Sequence, residues 1–447
     1  MKHLYHPSAL DAATPVPSWW RDSITSPPPE YAPLEGELET EVAIIGGGYS
    51  GLSAAYHLAK EHGIKAVVLE RAYPGWGASG RNGGFCCMGG SKLGWKKIIT
   101  TYGLDQARAF HQSQIDSVDL VGSLLEVEKI DAERTGRGDL ALAHRTSMLA
   151  EMATEQKFMA NAFGAQHRLL DRDALAAEGL AGPHFHGGLA GSVGFSLNPF
   201  KYVTGLAAAA ATQGARIAAY TPVTGWTRET YGHRLMTPTG SVRAGKVLIA
   251  TNGYTPEDLH SGFGGRLLPA LSSIVVTRPL TDAELQAAGW RSTTPSYDLL
   301  NLLHYFRLLP DGRFLFGGRG GLSAEPGALE RQSARIEAAF RRYYPAWREV
   351  EITHRWSGFV CLAADLVPHV GAWAEEPGIH FAVAYHGNGV ALASWAGRMV
   401  ARLIATGENA APAMLHKAPP LFPLPFLRPL YLRGAYLKFG IEDALGR

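Results

Sequence analysis

Three glycines at G-x-G-x-x-G spacing, Gly46, Gly48 and Gly51, follow an apolar run and precede an alanine-rich one. This pattern predicts a buried strand joined to a helix by a tight turn. Gly46 permits the turn, Gly48 lets a pyrophosphate approach the backbone, and Gly51 lets the helix pack closely on the strand. Unpaired N–H groups and the positive end of the helix dipole then face the phosphates. The turn therefore predicts a dinucleotide site.

The second half of such a unit follows. The sequence predicts a helix at 52–60 and a short apolar strand at 66–69. Glu70 comes about 20 residues after the glycines, where a carboxylate accepts hydrogen bonds from a ribose diol. The identity of the dinucleotide stays open at this point. NAD would leave the rest of the chain as a separate catalytic domain, whereas FAD usually brings contacts from remote segments.

Two remote segments have the composition that FAD contacts require. Residues 77–85, Gly-Ala-Ser-Gly-Arg-Asn-Gly-Gly-Phe, predict a loop whose small residues let the backbone approach a flat ring. Near the other end, the sequence predicts a strand at 379–385, a glycine turn at 386–389 and an amphipathic helix at 390–404. The N-terminus of that helix can face the negative charge of a reduced flavin. Both segments favour FAD.

In these motifs the chain resembles the D-amino-acid oxidase and glycine oxidase (DAO) superfamily of FAD enzymes, and most closely its γ-glutamylputrescine oxidase branch. The resemblance spans nearly the whole chain. It rests on residues 44–53, 77–84, 250–254 and 386–390, and on Trp356-Ser357-Gly358 with Asp365 and Pro368. Branches of this superfamily share the flavin scaffold and differ in the pocket, so the substrate stays open.

The resemblance implies a mixed α/β fold, with a Rossmann-like FAD-binding domain of the glutathione-reductase type and a β-sheet substrate domain inserted discontinuously. Two domains also suit a chain of 447 residues. The expected division is an N-terminal arm at 1–40 lying on the surface, an FAD-binding domain at 41–100, 146–265 and 352–410, a substrate domain at 101–145 and 266–351, and a C-terminal tail at 411–447. The tail is expected to pack on the FAD-binding domain, its prolines breaking any long amphipathic helix.

The resemblance also implies how FAD is held. Non-covalent FAD is expected because Gly358 falls where relatives that tether FAD carry a cysteine, with Cys361 as the exception to consider. Val223 is expected to meet adenine, and Arg81 either neutralises pyrophosphate or holds the loop through carbonyls. The expected cofactor-binding residues are Gly46, Gly48, Tyr49, Ser50, Gly51, Glu70, Arg71, Ala78, Ser79, Arg81, Asn82, Gly83, Gly84, Phe85, Val223, Thr251, Asn252, Gly253, Gly387, Asn388, Gly389 and Val390.

Composition excludes several other classes. The chain has 42 basic and 40 acidic residues, so no charge footprint indicates nucleic acid. The first residues lack a secretory pattern and no apolar run suits a bilayer span, so a cytoplasmic location is expected and membrane contact is not favoured. The three cysteines, Cys86, Cys87 and Cys361, are expected to be reduced. No metal-ligand, paired-carboxylate or Ser-His-Asp arrangement is recognised, and no metal is expected.

The substrate sheet is predicted from runs at 272–277, 298–309 and 313–317, the last two joined by a Pro-Asp-Gly turn. On such a strand His304 and Phe306 face one way while Tyr305 and Arg307 face the other. One pair should line the pocket, and Arg307 is a candidate for a substrate carboxylate. The candidate residues of the substrate face are His304, Tyr305, Arg307, Trp356, Phe359 and His386.

The expected reaction is amine oxidation. A flavin accepts hydride at N5 from a carbon whose nitrogen lone pair is free, so the protein positions that C–H bond and favours the neutral amine. The imine is then hydrolysed, and O2 takes the electrons to give H2O2. The expected partners are a small amine or amino acid and O2. Two alternatives stay open: a dehydrogenase that passes electrons to a quinone or protein carrier, and a catalytically silent flavin-binding protein.

Overall fold

The computed structural model describes residues 3–230, 232–376 and 378–445. The strands are β1 Gly36–Ile45, β2 Val67–Leu69, β3 Phe85–Cys87, β4 Asp139–Ala143, β5 His167–Asp171, β6 Gly187–Gly191, β7 Gly194–Ser196, β8 Arg216–Ala218, β9 Gly225–Glu229, β10 Gly232–Thr237, β11 Gly240–Ile249, β12 Leu268–Thr277, β13 Ser296–Asp298, β14 His304–Leu308, β15 Phe314–Gly321, β16 Ile352–Leu362, β17 His369–Ala372 and β18 Ile379–Val383. The helices are α1 Trp19–Asp22, α2 Tyr49–His62, α3 Trp95–Tyr102, α4 Leu104–Val127, α5 Met148–Phe163, α6 Arg172–Ala177, α7 Pro199–Thr212, α8 Asp282–Ala288, α9 Pro326–Tyr343, α10 Gly389–Thr406 and α11 Arg428–Leu445.

The first sheet has a parallel core in the order β8, β2, β1, β11 and β18. β17 pairs antiparallel with β18, and β9 and β10 form an antiparallel ribbon on β11. The last four residues of β1 are buried, as expected of a central parallel strand. Helices α2 and α10 pack together on this sheet, and a Cβ at Gly397 would overlap the carbonyl oxygen of Ser50. The predicted strand–helix–strand unit is confirmed as β1, α2 and β2.

The second sheet has the order β16, β12, β15, β14, β13, β4, β6 and β5. Its neighbours pair antiparallel except β13 and β4, which are parallel. One face packs on α9 through stacked aromatic rings, with Phe306 and Phe316 centroids 5.5 Å apart. The other face carries Tyr297 and Tyr305 and looks toward the first sheet. The hairpin predicted around Pro310-Asp311-Gly312 is confirmed as β14 and β15.

Sheet membership differs from the predicted domain boundaries. β5 and β6 belong to the second sheet although residues 146–265 are expected in the FAD-binding domain, and β16 belongs there although 352–410 is expected in that domain. The reason is pairing: β6 joins β4 on one side and β5 on the other, and β16 pairs along most of β12. The residues indicate strands, but the partners of those strands are set by tertiary packing.

The arm before β1 packs more closely against the rest of the chain than a surface segment would. Trp20 is only 1% exposed, and its indole N–H donates to the carbonyl oxygen of Asn82 at 2.8 Å. The Tyr5 hydroxyl donates to the carbonyl oxygen of Pro269 at 2.6 Å. The expected surface location is therefore wrong for Trp20, while Tyr5 is partly buried, and β1 itself begins at Gly36 rather than at 41.

The C-terminal tail ends in a long helix. Phe422 and Leu432 pack against Leu268 and Ala270 of β12 in the second sheet. Earlier in the tail, the carbonyl oxygen of Lys417 lies 2.7 Å from Nδ1 of His369 in β17 of the first sheet. The expectation that its prolines exclude a long helix is wrong, because Pro429 lies in the first turn of α11, where proline is tolerated. Within the described residues, no helix is long and apolar enough to cross a membrane.

The far end of α11 contacts the loop between β13 and β14. The two carboxylate oxygens of Asp443 accept hydrogen bonds from the backbone N–H groups of Asn301 and Leu302, at 2.9 and 3.0 Å. The same loop contains Leu299 and Leu303, which line the central cavity. The tail thus supports one wall of that cavity.

Candidate active site

A cavity of about 950 Å³ lies where the two sheets meet. This volume is at the upper end of the range of roughly 300–1,000 Å³ found for small-molecule and cofactor sites. Its lining combines the two glycine turns of the first sheet, the glycine-rich loop after β2 and the inner face of the second sheet. One continuous space therefore joins the predicted dinucleotide site to the predicted substrate face.

The first glycine turn needs glycine for two separate reasons. Gly46 has φ of +111°, and a Cβ there would lie 2.9 Å from the carbonyl oxygen of Ala250. Gly51, in the first turn of α2, has no room for a Cβ, which would overlap the carbonyl oxygen of Gly46. The backbone of the turn is therefore fixed by close approach between β1, α2 and the end of β11.

The N-terminus of α2 opens directly into the cavity. Its N-cap, Gly48, offers no side chain to the first turn, and the Tyr49 N–H donates to Ser79 Oγ at 3.0 Å. The hydroxyl groups of Ser50 and Tyr385 are 2.6 Å apart, which joins this turn to the end of β18. The positive end of the helix dipole makes this end of α2 suitable for phosphate oxygens.

Glu70 follows β2 at the edge of the cavity. Its Oε2 accepts a hydrogen bond from the Gly47 N–H at 2.6 Å, and its Oε1 accepts one from the Ala72 N–H at 2.9 Å. Burial raises the pKa of Glu70, and these two hydrogen bonds oppose the rise. The carboxylate braces the glycine turn and still presents lone pairs for a ribose diol, the role expected for it.

The glycine-rich loop is held by its own asparagine. Asn82 Nδ2 donates to the carbonyl oxygens of Ala78 and Ser79, and Asn82 Oδ1 accepts from the Gly84 N–H at 2.8 Å. Because these bonds close the loop on itself, its backbone is rigid where it lines the cavity.

Two further side chains fasten this loop to the second sheet. Arg81 Nε donates to the carbonyl oxygen of Trp76 at 2.7 Å, and Nη1 donates to that of Ser357 at 3.3 Å. Of the two roles expected for Arg81, the structure shows the hydrogen bonds to carbonyls. The indole N–H of Trp356 donates to the carbonyl oxygen of Arg81 at 2.7 Å. Trp356, expected on the pocket wall, is instead buried behind the loop, because its indole is turned toward this carbonyl.

The second glycine turn leads into α10. Its N-cap is Asn388, whose Nδ2 donates to the carbonyl oxygen of Met88 at 2.9 Å, so no side chain blocks the first turn. His386 has φ of +53° and is buried. Its Nε2 accepts from the Ala363 N–H at 3.1 Å, so Nδ1 is the nitrogen that donates, to the carbonyl oxygen of Gly90.

These contacts and the burial of the ring determine the protonation state and the orientation of His386. Burial lowers its pKa to about 3, and both ring nitrogens are engaged by the backbone. The ring lines the cavity as a neutral, fixed group, which does not suit transfer of a proton.

Most of the residues expected to bind cofactor line this one cavity. They are Gly46, Gly48, Tyr49, Ser50, Glu70, Arg71, Ala78, Ser79, Arg81, Asn82, Gly83, Phe85, Val223, Thr251, Asn252, Gly387, Asn388, Gly389 and Val390. Gly51, Gly84 and Gly253 lie behind this lining, where they permit close packing: a Cβ at Gly84 would overlap the carbonyl oxygen of Leu197. The two helix N-termini, the backbone cradle and the acid after β2 fit a dinucleotide with an attached flat ring.

The inner face of the second sheet supplies an aromatic wall. The Tyr305 hydroxyl lies 2.9 Å from Ser272 Oγ, and its ring contacts Phe85 edge-on with centroids 5.7 Å apart. Phe359 lines the same space and is supported by Tyr5 and Tyr254. Tyr305 and Phe359 are thus at the positions expected of substrate-face residues.

His304 faces the opposite side of the sheet, so its place among the substrate-face candidates is wrong. Its Nδ1 lies 2.8 Å from Asp298 Oδ2, and the ring stacks on Phe316 at 5.2 Å between centroids. Asp298 also accepts from the Tyr343 hydroxyl of α9 at 2.7 Å. Strand alternation separates the two pairs of residues correctly, and the structure shows that the odd-numbered pair faces inward.

Arg307 shares the inner face with Tyr305 but does not reach the cavity. Its Nε donates to the carbonyl oxygen of Gly83 at 3.0 Å and its Nη2 to that of Leu197 at 2.6 Å. The guanidinium lies 5.4 Å from the ring of Trp20, and burial lowers its pKa to about 9. The candidate role in binding substrate carboxylate is therefore wrong, because loop carbonyls occupy its donors.

Several charged or polar side chains that were not expected there also line the cavity. Asp139 and Tyr297 lie on β4 and β13, Arg319 lies on β15, and Lys92 follows β3. Arg319 Nη2 donates to the carbonyl oxygen of His386 at 3.4 Å, beside the second glycine turn. Alternation along β15 places Arg319 and Gly317 on one face, a signal that becomes usable only once the inner face is known.

The three cysteines are free and buried. Cys87 and Cys361 line the cavity, and burial raises the pKa of each thiol. Neutral buried thiols are poor nucleophiles, as expected of packing residues. No group of three or more His, Cys, Asp or Glu side chains in the described part of the chain is placed to hold a metal ion.

The chain matches the DAO family, described as FAD dependent oxidoreductase, over residues 41–403. It therefore belongs to this family of FAD-dependent oxidoreductases. A probable oxidoreductase OrdL of Haemophilus influenzae is 32% identical over 84% of this chain and 85% of its own. A gamma-glutamylputrescine oxidoreductase of Escherichia coli is 29% identical over 84% of this chain and 86% of its own.

Solved structures agree on the fold. Glycine oxidase from Geobacillus kaustophilus superposes with a TM-score of 0.69 at 22% identity, covering 85% of this chain and 99% of its own. Glycine oxidase from Bacillus cereus gives a TM-score of 0.68 at 21% identity, covering 86% and 100%. The expected superfamily is confirmed, and these neighbours share its architecture.

Replacing Gly51 with alanine is expected to weaken FAD retention and lower the melting temperature, because the new Cβ displaces the Gly46 carbonyl under the phosphate site. Gly434→Ala is the matched control: it lies in α11 with nothing within 4 Å of a Cβ. That control should gain about 0.5–1 kcal/mol or stay unchanged. Thermal unfolding and flavin absorbance after dialysis measure both effects, and equal FAD occupancy in the two variants would contradict this account of the turn.

Glu70→Ala is expected to lower FAD retention, since it removes both the brace on Gly47 and the ribose acceptor. Its measurement is the dissociation constant of added FAD for deflavinated protein. Glu61→Ala on the outer side of α2 serves as the control, because Glu61 pairs with Arg398 and does not line the cavity. Unchanged FAD affinity in Glu70→Ala would show that this carboxylate does not contribute to FAD binding.

Arg307→Ala is expected to destabilise the chain by at least about 2 kcal/mol, because two buried carbonyls lose their donors. Relative rates on carboxylate-bearing and uncharged amines should stay as in the parent. Arg335→Ala, an exposed arginine of α9, is the control. A stable Arg307 variant with altered preference for carboxylates would restore the binding role that the geometry contradicts.

Proposed function

We propose that this chain oxidises the CH–NH bond of an amine or amino acid to an imine, with FAD bound non-covalently and O2 as electron acceptor. The observation that carries this proposal is the single cavity in which both glycine turns face Tyr305 and Phe359 on the second sheet. A small molecule bound against that wall is held next to the space shaped for a dinucleotide.

The names of the relatives support amines as the substrate class. They include gamma-glutamylputrescine oxidoreductase, glycine oxidase and, at 24% identity over 90% of this chain, a sarcosine oxidase subunit beta from Rhodobacter capsulatus. Each of these names refers to a compound with an amine nitrogen. Gamma-glutamylated amines, glycine, sarcosine and D-amino acids are therefore the compounds to test.

The residues of the cavity serve this reaction by binding and by excluding water. When bound, FAD supplies the hydride acceptor at N5, and its reoxidation by O2 yields H2O2. Phe359, Ile274 and Tyr305 give the substrate an apolar and aromatic wall, which favours the neutral amine over the ammonium. His386 is fixed in its neutral form, so no protein base at that position is invoked.

Non-covalent attachment is supported by two features. Gly358 has no side chain, and a Cβ there would lie 3.2 Å from Arg81 Cβ. The thiol of Cys361 is buried with a raised pKa, so little thiolate is present for attachment. Acid precipitation should therefore leave the flavin in the supernatant. A cytoplasmic location is part of the same proposal and is supported by the three free cysteines.

The decisive experiment is anaerobic mixing of the FAD-loaded protein with a panel of amines, followed by flavin absorbance. Rapid bleaching with at least one amine is expected, and air should then restore the colour with stoichiometric H2O2. A flavin that bleaches but reoxidises only with a quinone or carrier protein would indicate a dehydrogenase. A flavin that no amine reduces would overturn the proposal.

A further inference from the structure

Three residues on neighbouring strands of the second sheet lie in register at one end of the cavity. Asp139 of β4 pairs with Gly191 of β6, which in turn pairs with His167 of β5. Directly paired residues share a face, and all three line the cavity. Because Gly191 has no side chain, the Asp139 carboxylate extends over it, and the His167 imidazole borders the same position, with its Cδ2 3.7 Å from where a Cβ at Gly191 would lie. A Cβ at Gly191 would lie 2.5 Å from Asp139 Oδ1.

The Asp139 carboxylate has no cationic partner among the described residues. Its side-chain neighbour is the Tyr297 hydroxyl, which donates to Oδ2 at a long 3.5 Å. Burial raises the pKa of Asp139 to about 7. A carboxylate in this setting is costly to ionise unless a ligand brings a positive charge to it.

The surroundings of this carboxylate suit an alkyl chain that ends in a cation. Trp95, Phe163 and Met152 line the same end of the cavity, and His111 stacks on Phe163 with centroids 4.7 Å apart. Aromatic faces attract ammonium groups, and methionine adapts to methylene chains. In the described part of the chain, His111 Nε2 and His167 Nδ1 have no hydrogen-bond partner.

Charge differs between the two ends of the cavity. Glu151 and Glu155 of α5 line the end that contains Asp139, whereas the Arg319 guanidinium lies by the second glycine turn. Lys92 lies near Arg319, but burial lowers its pKa to about 7, so the positive charge at that end comes mainly from Arg319. Arg319 is on β15, three strands from β4, which corresponds to about 14 Å at the usual strand spacing. A cation is therefore repelled from one end and attracted to the other.

We propose that Asp139, which extends over Gly191, and the neighbouring His167 imidazole bind a second, protonated nitrogen of the substrate. The substrate class is then an alkyl amine that carries a remote ammonium group. This inference rests on the proposed function, because it assumes that the reacting amine lies at the other end of the same cavity. The remote ammonium donates to the carboxylate while the methylene chain lies along the aromatic and methionine wall.

The test is calorimetric binding to the full, FAD-loaded chain under anaerobic conditions at pH 8. The probes are 1,4-diaminobutane and 1,6-diaminohexane, each compared with its monoamine, n-butylamine or n-hexylamine. At least one diamine is expected to bind tighter than its monoamine by about tenfold or more, the effect of one charge-assisted hydrogen bond. Asp139→Asn should abolish that difference and leave the monoamines unchanged.

Two further variants sharpen the result. Gly191→Ala places a Cβ 2.5 Å from Asp139 Oδ1, so it displaces the carboxylate and should weaken diamine binding in the same way. This variant keeps the test available if Asp139→Asn folds poorly. Asp119→Asn is the charge-matched control, an exposed carboxylate of α4 outside the cavity, and should retain the diamine preference. Diamine and monoamine binding with equal affinity, or a preference that survives both cavity variants, would overturn the inference.

Flavin bleaching in parallel separates the two proposals. If both kinds of amine bleach the flavin without any dependence on Asp139, amine oxidation stands and the second-nitrogen site is wrong. If diamines bind through Asp139 and no amine bleaches the flavin, the binding site stands and the oxidase function is wrong.

Discussion

The buried guanidinium of Arg307 connects the two halves of this molecule. It extends from the inner face of the second sheet to carbonyl oxygens of the glycine-rich loop and of the segment before α7. Within the described residues, its side-chain hydrogen bonds go to neutral carbonyl oxygens, and its charge lies beside the ring of Trp20. Such an arrangement persists only if the carbonyls stay in place. The cavity has its shape because the sheet and the loop are held together at this point.

Electrostatics inside the cavity follow from backbone as much as from side chains. The N-termini of α2 and α10 open onto the same space, and neither is capped by the side chain of its own N-cap residue. Each adds partial positive charge without a titrating group, so its contribution is independent of pH. His386 adds no charge beside α10, because its ring is neutral. Its tautomer is fixed by the backbone, so it transfers no proton. The backbone therefore makes the cofactor end of the cavity positive. At the opposite end, the Asp139 carboxylate can bind a ligand.

What the sequence predicted well is local. The glycine turn at Gly46 and Gly51, the acid at Glu70 and the hairpin before Arg313 each depend on residues close in the chain, so spacing alone was sufficient. The resemblance to a family placed the remote glycine segments in the same site. The pairing of β5, β6 and β16 was not predictable, because the residues of a strand do not indicate which other strand it will pair with.

The sequence also did not show which side of a strand of the second sheet faces the cavity. Alternation separated His304 from Tyr305, but it could not tell which of them faces the cofactor, since both faces of this sheet are covered. Arg307 looked like a ligand for carboxylate, and only the position of the Gly83 and Leu197 carbonyls shows otherwise. Asp139 was not predicted as a site residue, because the role proposed for it depends on its position beside Gly191 and His167. These residues are distant in sequence and adjacent only across the sheet.

The hydrogen bonds from the loop at Asn301 and Leu302 to Asp443 have a practical consequence for handling this protein. Trimming the last helical turns to aid crystallisation would remove a brace from the cavity wall rather than shorten a passive end. An affinity tag fused at the carboxyl end would likewise sit next to that brace. Kinetic constants measured on such versions would describe an altered pocket.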